Sequence, residues 1–333
     1  MKALLSREAG GPDTLELADV DRPLPSKGHV IVRVAACSIN YPDALIIEDK
    51  YQFRPERPFT PGGEIAGIVE AVGEGVEGWS VGDRLAAAII HGGLAELVSV
   101  PVEAAHRLPE DVPLAEASTL LMTYATTIHA LVDRGGLRAG ETLLVLGAAG
   151  GVGVAAIEIG KALGARVVAA VSSAEKAEAA RDAGADETVI YTSGPFDKDG
   201  LKSLTEMFKS AVGPAGAHVI FDPVGGDYAE PALRSIAWEG RYLVIGFTAG
   251  IPKLPLNLTL LKGCDIRGVF WGGFIHRDPE HNRENFAQLL DWFKAGKIRP
   301  RIGKTFPLER GGDAIAWVSG RRAIGKVVVT LSS

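Results

Sequence analysis

Cysteine is scarce: Cys37 and Cys264 are the only two in 333 residues. No disulfide framework is indicated, and a reducing compartment fits. Long apolar runs are missing as well. No window approaches the ~18 uninterrupted apolar residues of a membrane-spanning helix. The opening residues, Met1-Lys2-Ala3-Leu4-Leu5-Ser6, read as a short strand-like run, without the apolar stretch or small-residue cleavage site of a signal peptide. Positive charge is in deficit: 35 Lys and Arg stand against 41 Asp and Glu, a formal net charge of −6. A general binder of nucleic acid or of anionic membrane needs a basic face, so neither partner is expected. The cytoplasm is the default location.

What is present is ordinary for a soluble globular chain, 47% hydrophobic and 23% charged. At roughly 150 residues per domain, the length predicts about two domains. Residues up to about 115 carry short β-branched runs such as Val30-Ile31-Val32-Arg33-Val34, punctuated by glycine and proline, and predict a β-rich domain. From Ala115 to Leu131 the chain turns alanine-rich and helix-like. Strand and helix signals then alternate. Strands are expected at 142–146, 166–171, 188–191, 217–222 and 241–245, and helices at 150–163, 174–183, 201–212 and 228–237. Such alternation implies a parallel sheet with helical crossovers. The C-terminal part returns to mixed character, with a strand over 265–271, an amphipathic helix over 283–295 and a closing strand over 326–331. It is expected to complete the first domain and flank the cleft.

The sharpest signal is Leu146-Gly147-Ala148-Ala149-Gly150-Gly151-Val152-Gly153, directly after a strand and opening a helix. Glycines permit the tight turn, the approach of backbone to a pyrophosphate and close helix–sheet packing. The helix N-terminus offers free N–H groups to phosphate. The spacing G-x-x-G-x-x-G is a variant of the dinucleotide fingerprint, and Ala149, Gly150, Gly151 and Val152 are the candidate phosphate contacts. An NAD site usually places a carboxylate at the end of the second strand, to hold the ribose hydroxyls. Here that position reads Ser172-Ser173-Ala174-Glu175-Lys176. Lys176 can meet a 2′-phosphate and the two serines can donate to it, which favours NADPH (NADP). Glu175 lies close to the expected carboxylate distance, and Lys176 could equally be a solvated helix lysine.

Further motifs span the chain. They include Ser38-Ile39-Asn40-Tyr41-Pro42-Asp43, Pro61-Gly62-Gly63-Glu64-Ile65-Ala66-Gly67, Val72-Gly73-Glu74-Gly75-Val76, Val81-Gly82-Asp83-Arg84 and Gly93-Leu94-Ala95-Glu96. The stretch 140–161 follows, then Asp222-Pro223-Val224-Gly225-Gly226 and Gly325-Lys326-Val327-Val328. Together they resemble the quinone oxidoreductase (zeta-crystallin-like) branch of the medium-chain dehydrogenase/reductase superfamily, with Glu158 in place of the usual glutamine. The resemblance implies an α/β fold: a Rossmann doubly wound parallel sheet inserted into a GroES-like β-rich domain. The expected domains are 1–118 plus 264–333 for the GroES-like catalytic part and 119–263 for the dinucleotide-binding part. It also implies a homodimer paired along the edge of the Rossmann sheet, with the 265–271 strand at that edge.

Many relatives are zinc alcohol dehydrogenases. Catalytic zinc takes three protein ligands and structural zinc four. The zinc relatives carry Cys at the position of Asn40 and His at that of Gly63, and two cysteines cannot supply a four-cysteine lobe, so no metal is expected. His91, His129 and His218 show no ligand spacing, and Cys37 has no evident histidine to activate it. Without a Lewis acid the substrate must already be electrophilic: a quinone, an enone or an enoyl thioester. By the resemblance, Tyr51 is the candidate proton donor, with a cleft-lining tyrosine as the plainer reading. Asn40 could hold the nicotinamide ribose or a substrate oxygen, or merely stabilise a turn. Thr126 would contact the cofactor near the nicotinamide, unless it bonds its own helix. Tyr191 would lie beside the adenosine phosphate, and Phe247 at the end of the fifth strand. Phe270 and Trp271 would line the nicotinamide side, and Lys326 would also touch the cofactor.

The leading expectation is an NADPH-dependent, metal-free reductase of a quinone or other activated conjugated carbonyl. A short-chain enoyl-CoA reductase is the alternative; it needs a basic patch, which Lys50, Arg54 and Arg57 could form. A crystallin-like or RNA-binding protein that holds NADPH with little turnover is the alternative of another class.

Overall fold

The computed structural model describes residues 1–331. Seven strands come first: β1 Lys2–Leu5, β2 Glu16–Asp19, β3 His29–Ile39, β4 Glu64–Val72, β5 Arg84–Ala88, β6 Leu97–Pro101 and β7 Ala105–Arg107. Six follow in mid-chain: β8 Thr142–Leu146, β9 Arg166–Val171, β10 Glu187–Ile190, β11 Ala217–Asp222, β12 Ile236–Val244 and β13 Asp265–Gly268. Two close the chain, β14 Ile302–Pro307 and β15 Lys326–Thr330. They sort into two units, Met1–Met122 with Pro300–Ser333, and Thr123–Arg299. No helix among the described residues is long and apolar enough to cross a membrane.

In the first unit the main sheet runs β14-β15-β3-β4-β5-β7, with β6 also on β3. Apart from the parallel β14–β15 pair, its ladders are antiparallel. The central strand β3 changes phase along its length. Val30, Val32 and Val34 enter the core, but further on Cys37 and Ile39 do. The cause is an extra residue: Val34 faces Gly67 and Ala36 faces Ala66, which leaves Ala35 bulged. Because strand side chains alternate, one inserted residue exchanges the two faces. The bulge turns Ser38 and Asn40 away from the apolar core. Across the ladder Ser38 opposes Glu64 on one side and Val328 on the other. Val327 and Val329 of β15 enter the core, so Lys326 shares the face of Asn40.

The second unit is a parallel sheet ordered β10-β9-β8-β11-β12-β13. Chain order reverses between β8 and β11, the switch point at which open α/β sheets take ligands. β8 is buried along its whole length, as an unbroken apolar run between two helical layers should be. The strands expected at 142–146, 166–171 and 217–222 have those bounds. Elsewhere the structure departs from the expectation. The segment 115–131 is not one helix. Leu114–Ala117 is followed by π-helical turns Leu120–Ala125 and His129–Arg134, on either side of Thr126–Ile128. The strand expected to reach 271 stops at Gly268, and Trp271–Arg277 is helical.

The domain limits also differ. Residues 264–299, expected with the first domain, join the second unit, and the first boundary falls at 122/123. The reason is hydrogen bonding: β13 adds in parallel to Arg241–Val244 of β12 as the outer strand. The helix Pro279–Lys294 is tied in by His281 and Asn285, which reach the Asp133 carboxylate at 2.9 Å each.

Candidate functional site

In the second unit the glycine loop follows β8 directly. Gly147 adopts φ +59, a left-handed conformation that glycine takes without strain. A Cβ at Gly153 would lie 2.4 Å from the Gly147 carbonyl oxygen and 2.6 Å from Ala148 Cα, so only glycine lets the helix Gly151–Ala162 start this close to the loop. Ala149 is buried beneath the turn, while Gly150, Gly151 and Val152 are partly exposed at the helix N-terminus. N–H groups of a first helical turn lack partners further up the helix, and they carry the positive end of its dipole.

At the end of the neighbouring β9, Ser172, Ser173 and Lys176 come together. Ser173 caps the helix Ala174–Asp182, its Oγ accepting from the Lys176 N–H at 3.3 Å. Lys176 Nζ donates to Ser172 Oγ at 3.2 Å. Glu175 is exposed on the same first turn. This is a hydroxyl-and-ammonium cluster beside the phosphate loop.

The other expected contacts of this unit divide. Thr126 is partly exposed, and its hydroxyl makes no hydrogen bond among the described residues. It is Thr127 that bonds back into its helix, to the Thr123 carbonyl at 2.7 Å. Phe247 and Phe270 are exposed at the carboxyl side of the sheet. Trp271 is buried, and its indole N–H donates to Asn282 Oδ1 at 3.0 Å. Tyr191 is likewise buried, packed 5.0 Å from the Tyr228 ring and 6.4 Å from that of Phe208.

In the first unit, Asn40 and Lys326 meet across the β3–β15 ladder. Lys326 Nζ donates to Asn40 Oδ1 at 2.6 Å and to Glu64 Oε2 at 3.2 Å. Asn40 Nδ2 donates to Glu64 Oε2 at 2.9 Å and to the Ser38 carbonyl at 3.3 Å. The other Glu64 oxygen accepts the backbone N–H groups of Leu121 and Met122, both at 2.8 Å. Both amide protons of Asn40 are thus engaged, so toward a ligand its side chain can only accept. The Ser38 hydroxyl, fully buried nearby, has no hydrogen-bond partner among the described residues.

Asp43 accepts the Asn40 N–H at 2.7 Å, and burial pushes its carboxyl up to about 6. Cys37 packs against the core, and burial, with the charges of Asp43 and Glu64, holds its thiol well above the ordinary value. It is no activated nucleophile. The Tyr51 phenol is half-buried; burial first, and then the Asp43 charge, raise it, so at neutral pH it keeps its proton. Its hydroxyl makes no hydrogen bond among the described residues.

Glu64 and Asp43 went unassigned in the sequence reading. The signal was there for Glu64: a carboxylate opening the apolar run Ile65-Ala66-Gly67-Ile68-Val69 needs a buried partner. Which partner is decided by pairing 262 residues away, beyond any local pattern.

Comparison with known proteins agrees with these two parts. Residues 26–110 match the alcohol dehydrogenase GroES-like domain, and residues 151–295 match the family described as zinc-binding dehydrogenase. Quinone oxidoreductase-like protein 2 of Bos taurus is 38% identical, over 93% of this chain and 87% of its own length. Quinone oxidoreductase of Rattus norvegicus is 31% identical, over 99% of this chain and 98% of its own. Among solved structures, the Escherichia coli quinone oxidoreductase complexed with NADPH superposes with a TM-score of 0.90 at 26% identity, covering 99% of this chain and 100% of that one.

The second family description names zinc, and the donors at the corresponding place do not fit it. Zinc is bound by thiolate, imidazole or carboxylate in sets of three or four. Asn and Gly stand at 40 and 63, and a side chain at 63 would begin 2.9 Å from the Ile89 carbonyl oxygen. Of the two carboxylates nearby, Glu64 already has a cation in Lys326 and Asp43 accepts the Asn40 N–H.

Proposed function

Because the chain belongs to the quinone oxidoreductase family of the medium-chain dehydrogenase/reductase superfamily, we propose that it is an NADPH-dependent, metal-free reductase of a quinone or similarly activated conjugated carbonyl. The observation that carries the cofactor choice is the Ser172–Ser173–Lys176 cluster beside the glycine loop, where hydroxyls and an ammonium stand in place of a carboxylate. Such a group suits a 2′-phosphate. Reduced nicotinamide supplies hydride to the conjugated carbon. The chain's own task is to hold the acceptor, exclude water and deliver a proton. Tyr51, protonated at neutral pH and with an unengaged hydroxyl, is the proton donor in this reading.

Charge near Tyr51 favours a neutral acceptor over a phosphate-bearing thioester. Lys50 is paired with Glu48 at 2.6 Å and Arg57 with Asp49 at 2.9 Å, so two of the three cations proposed for a phosphate patch are neutralised. Assembly as a homodimer is part of the same reading. Trp238, Leu256, Leu260 and Leu261 are large, apolar and exposed, and the segments bearing them flank the outer strand β13.

The test is NADPH and NADH oxidation against a benzoquinone, a naphthoquinone, an alkenal and crotonyl-CoA. NADPH-selective turnover of the quinones or alkenal is expected. Turnover of crotonyl-CoA alone selects the thioester reading, and tight NADPH binding without turnover selects a binding role. Tyr51→Phe should lower kcat at unchanged NADPH affinity; unaltered kcat removes Tyr51 as donor.

A further inference from the structure

Asp222-Pro223-Val224-Gly225-Gly226 ends β11, the strand beside β8 and its glycine loop. Asp222 is 2% exposed, and both of its carboxylate oxygens are engaged. Oδ1 accepts the N–H groups of Val224 and Gly225, both at 2.8 Å, and Oδ2 accepts the Tyr242 hydroxyl from β12. One buried carboxylate therefore folds the turn back on its own strand and ties it to the next. The turn also grips the loop that follows β12. Gly226 N–H donates to the Gly250 carbonyl at 2.7 Å, and Ala249 N–H to that of Val224 at 2.8 Å. The fit is close: a Cβ at Gly225 would lie 2.6 Å from the Gly250 carbonyl oxygen, and one at Gly226 2.5 Å from that of Ala249. On its other side Val224 reaches the glycine loop, where a Cβ at Gly147 would meet Val224 Cγ2 at 2.9 Å. Three loops thus form one continuous platform at the carboxyl ends of β8, β11 and β12.

The strand order says what lies on it. The Ser172–Ser173–Lys176 cluster stands at the end of β9 and the glycine loop at that of β8, with β11 and β12 on the opposite side. A dinucleotide with its 2′-phosphate at the cluster and its pyrophosphate at the glycine loop continues toward β11 and β12. Neighbouring strands lie about 4.8 Å apart, so β12 is about 10 Å beyond β8, within reach of the second nucleotide. Phe247, exposed, stands at that end.

We propose that Asp222 is a positioning residue for the nicotinamide half of the dinucleotide. By fixing the 223–226 turn, and through it the 247–250 loop, it sets the wall against which the nicotinamide ring is held. The proposal rests on the reductase reading above. Asp222 is buried, so it acts through the backbone that it orients rather than by contact with the cofactor.

The test compares two probes on the whole protein. 2′,5′-ADP spans only the β9 cluster and the glycine loop, whereas NADPH also reaches the loops of β11 and β12. In Asp222→Ala the two N–H groups lose their acceptor and the turn loosens. NADPH affinity, read by calorimetric titration, should fall about tenfold, because binding must then order the loops. Affinity for 2′,5′-ADP should hold. Turnover of a quinone should fall by roughly 100-fold in kcat, the scale of a small misplacement of the reacting atoms. Asp222→Asn keeps an oxygen for both N–H groups and should recover most of each loss. Gly226→Ala leaves Asp222 in place but drives a Cβ into Ala249, so it should show the same split between probes, and it decides the matter if Asp222→Ala does not fold.

General damage to the unit would weaken both probes alike. That result, wild-type NADPH affinity in Asp222→Ala or Gly226→Ala, or no recovery in Asp222→Asn overturns the proposal. If the variants show the split while wild type reduces no quinone or alkenal, the wall stands and the reductase reading falls. A wild type that reduces these acceptors, with an Asp222→Ala variant that binds NADPH as tightly, does the reverse.

Discussion

Glu158→Gln should remove the share of the pH dependence of stability that Glu158 contributes between about pH 4.5 and pH 7. Glu158 lies inside the helix that begins at the glycine loop, 8% exposed. One of its oxygens accepts the Tyr124 hydroxyl at 2.7 Å and the Arg299 N–H at 3.0 Å. Among the described residues it forms no salt bridge, and burial, outweighing those hydrogen bonds and the Arg299 charge, pushes its carboxyl from the ordinary 4.5 up to about 7. The folded state therefore holds a proton that the unfolded chain releases at lower pH. Stability is greatest below the unfolded value and falls as pH rises toward the folded one. At about 1.36 kcal/mol per pH unit, the loss across this window is roughly 3 kcal/mol. For a unit of 150–250 residues, that corresponds to roughly 6–12 °C in Tm.

The amide is isosteric and cannot titrate. It brings a constant offset from its own hydrogen bonds, so the informative quantity is the difference in Tm between variant and wild type as a function of pH. Thermal unfolding followed by circular dichroism at half-unit pH steps measures it. The variant should gain on wild type steadily from pH 5 to pH 7 and then level off. Parallel curves would mean that Glu158 does not change protonation with folding, and the burial argument would be wrong.

Gly153→Ala should cost roughly 1–3 kcal/mol by overpacking against backbone and weaken NADPH binding. Gly150→Ala should spare the fold, since its Cβ comes no nearer than 3.5 Å to the Gly147 carbonyl oxygen; equal losses of Tm in the two variants would contradict this. Asp43 is raised from 3.8 to about 6 by burial, so its destabilisation builds between those values as pH rises. Asp43→Asn should flatten the urea midpoint below about pH 6 and leave unchanged the loss between about pH 6 and pH 7, which belongs to Glu158. His281 is raised by its hydrogen bonds to Asp133 and Glu284, so its stabilisation is complete below the ordinary 6.5 and fades as pH climbs above it. Asp133→Asn should weaken that fading and leave the part due to Glu284; a variant that loses stability above neutrality to the same extent as wild type would refute it.

How much the sequence disclosed follows from the range of each interaction. The second unit was legible because its signals are local: unbroken apolar strands, helices of ordinary length and a glycine loop at the junction. Ser172, Ser173 and Lys176 lie within one turn of each other, so their assembly followed from the strand end. Asn40 was legible as a position but not as an arrangement. Its orientation depends on the bulge at Ala35, and its partners come from β4 and from β15, 286 residues away. Trp271 reads as a cleft aromatic between glycines, yet Asn282 draws its indole inward. Residues 264–299 lack the alternation that precedes them, and only the ladder to β12 reveals where they belong.

Glu158 also bears on how one unit can be inserted within another. The second unit runs from Thr123 to Arg299, and the two groups donating to Glu158 belong to Tyr124 and Arg299, one residue from its start and its last residue. A single side chain therefore joins the unit's entry to its exit. Loop-closure entropy grows only as the logarithm of loop length. Even so, a flexible insert of this size would oppose the pairing of β15 with β3 by several kcal/mol. An insert that folds on its own and fixes its ends together has already met that cost. What the first unit must then close is, in effect, a short connection, and the Asn40–Lys326 contact can form despite the separation in sequence. By this argument the Glu158 carboxylate supports the site by keeping the two parts of the first unit within reach of each other.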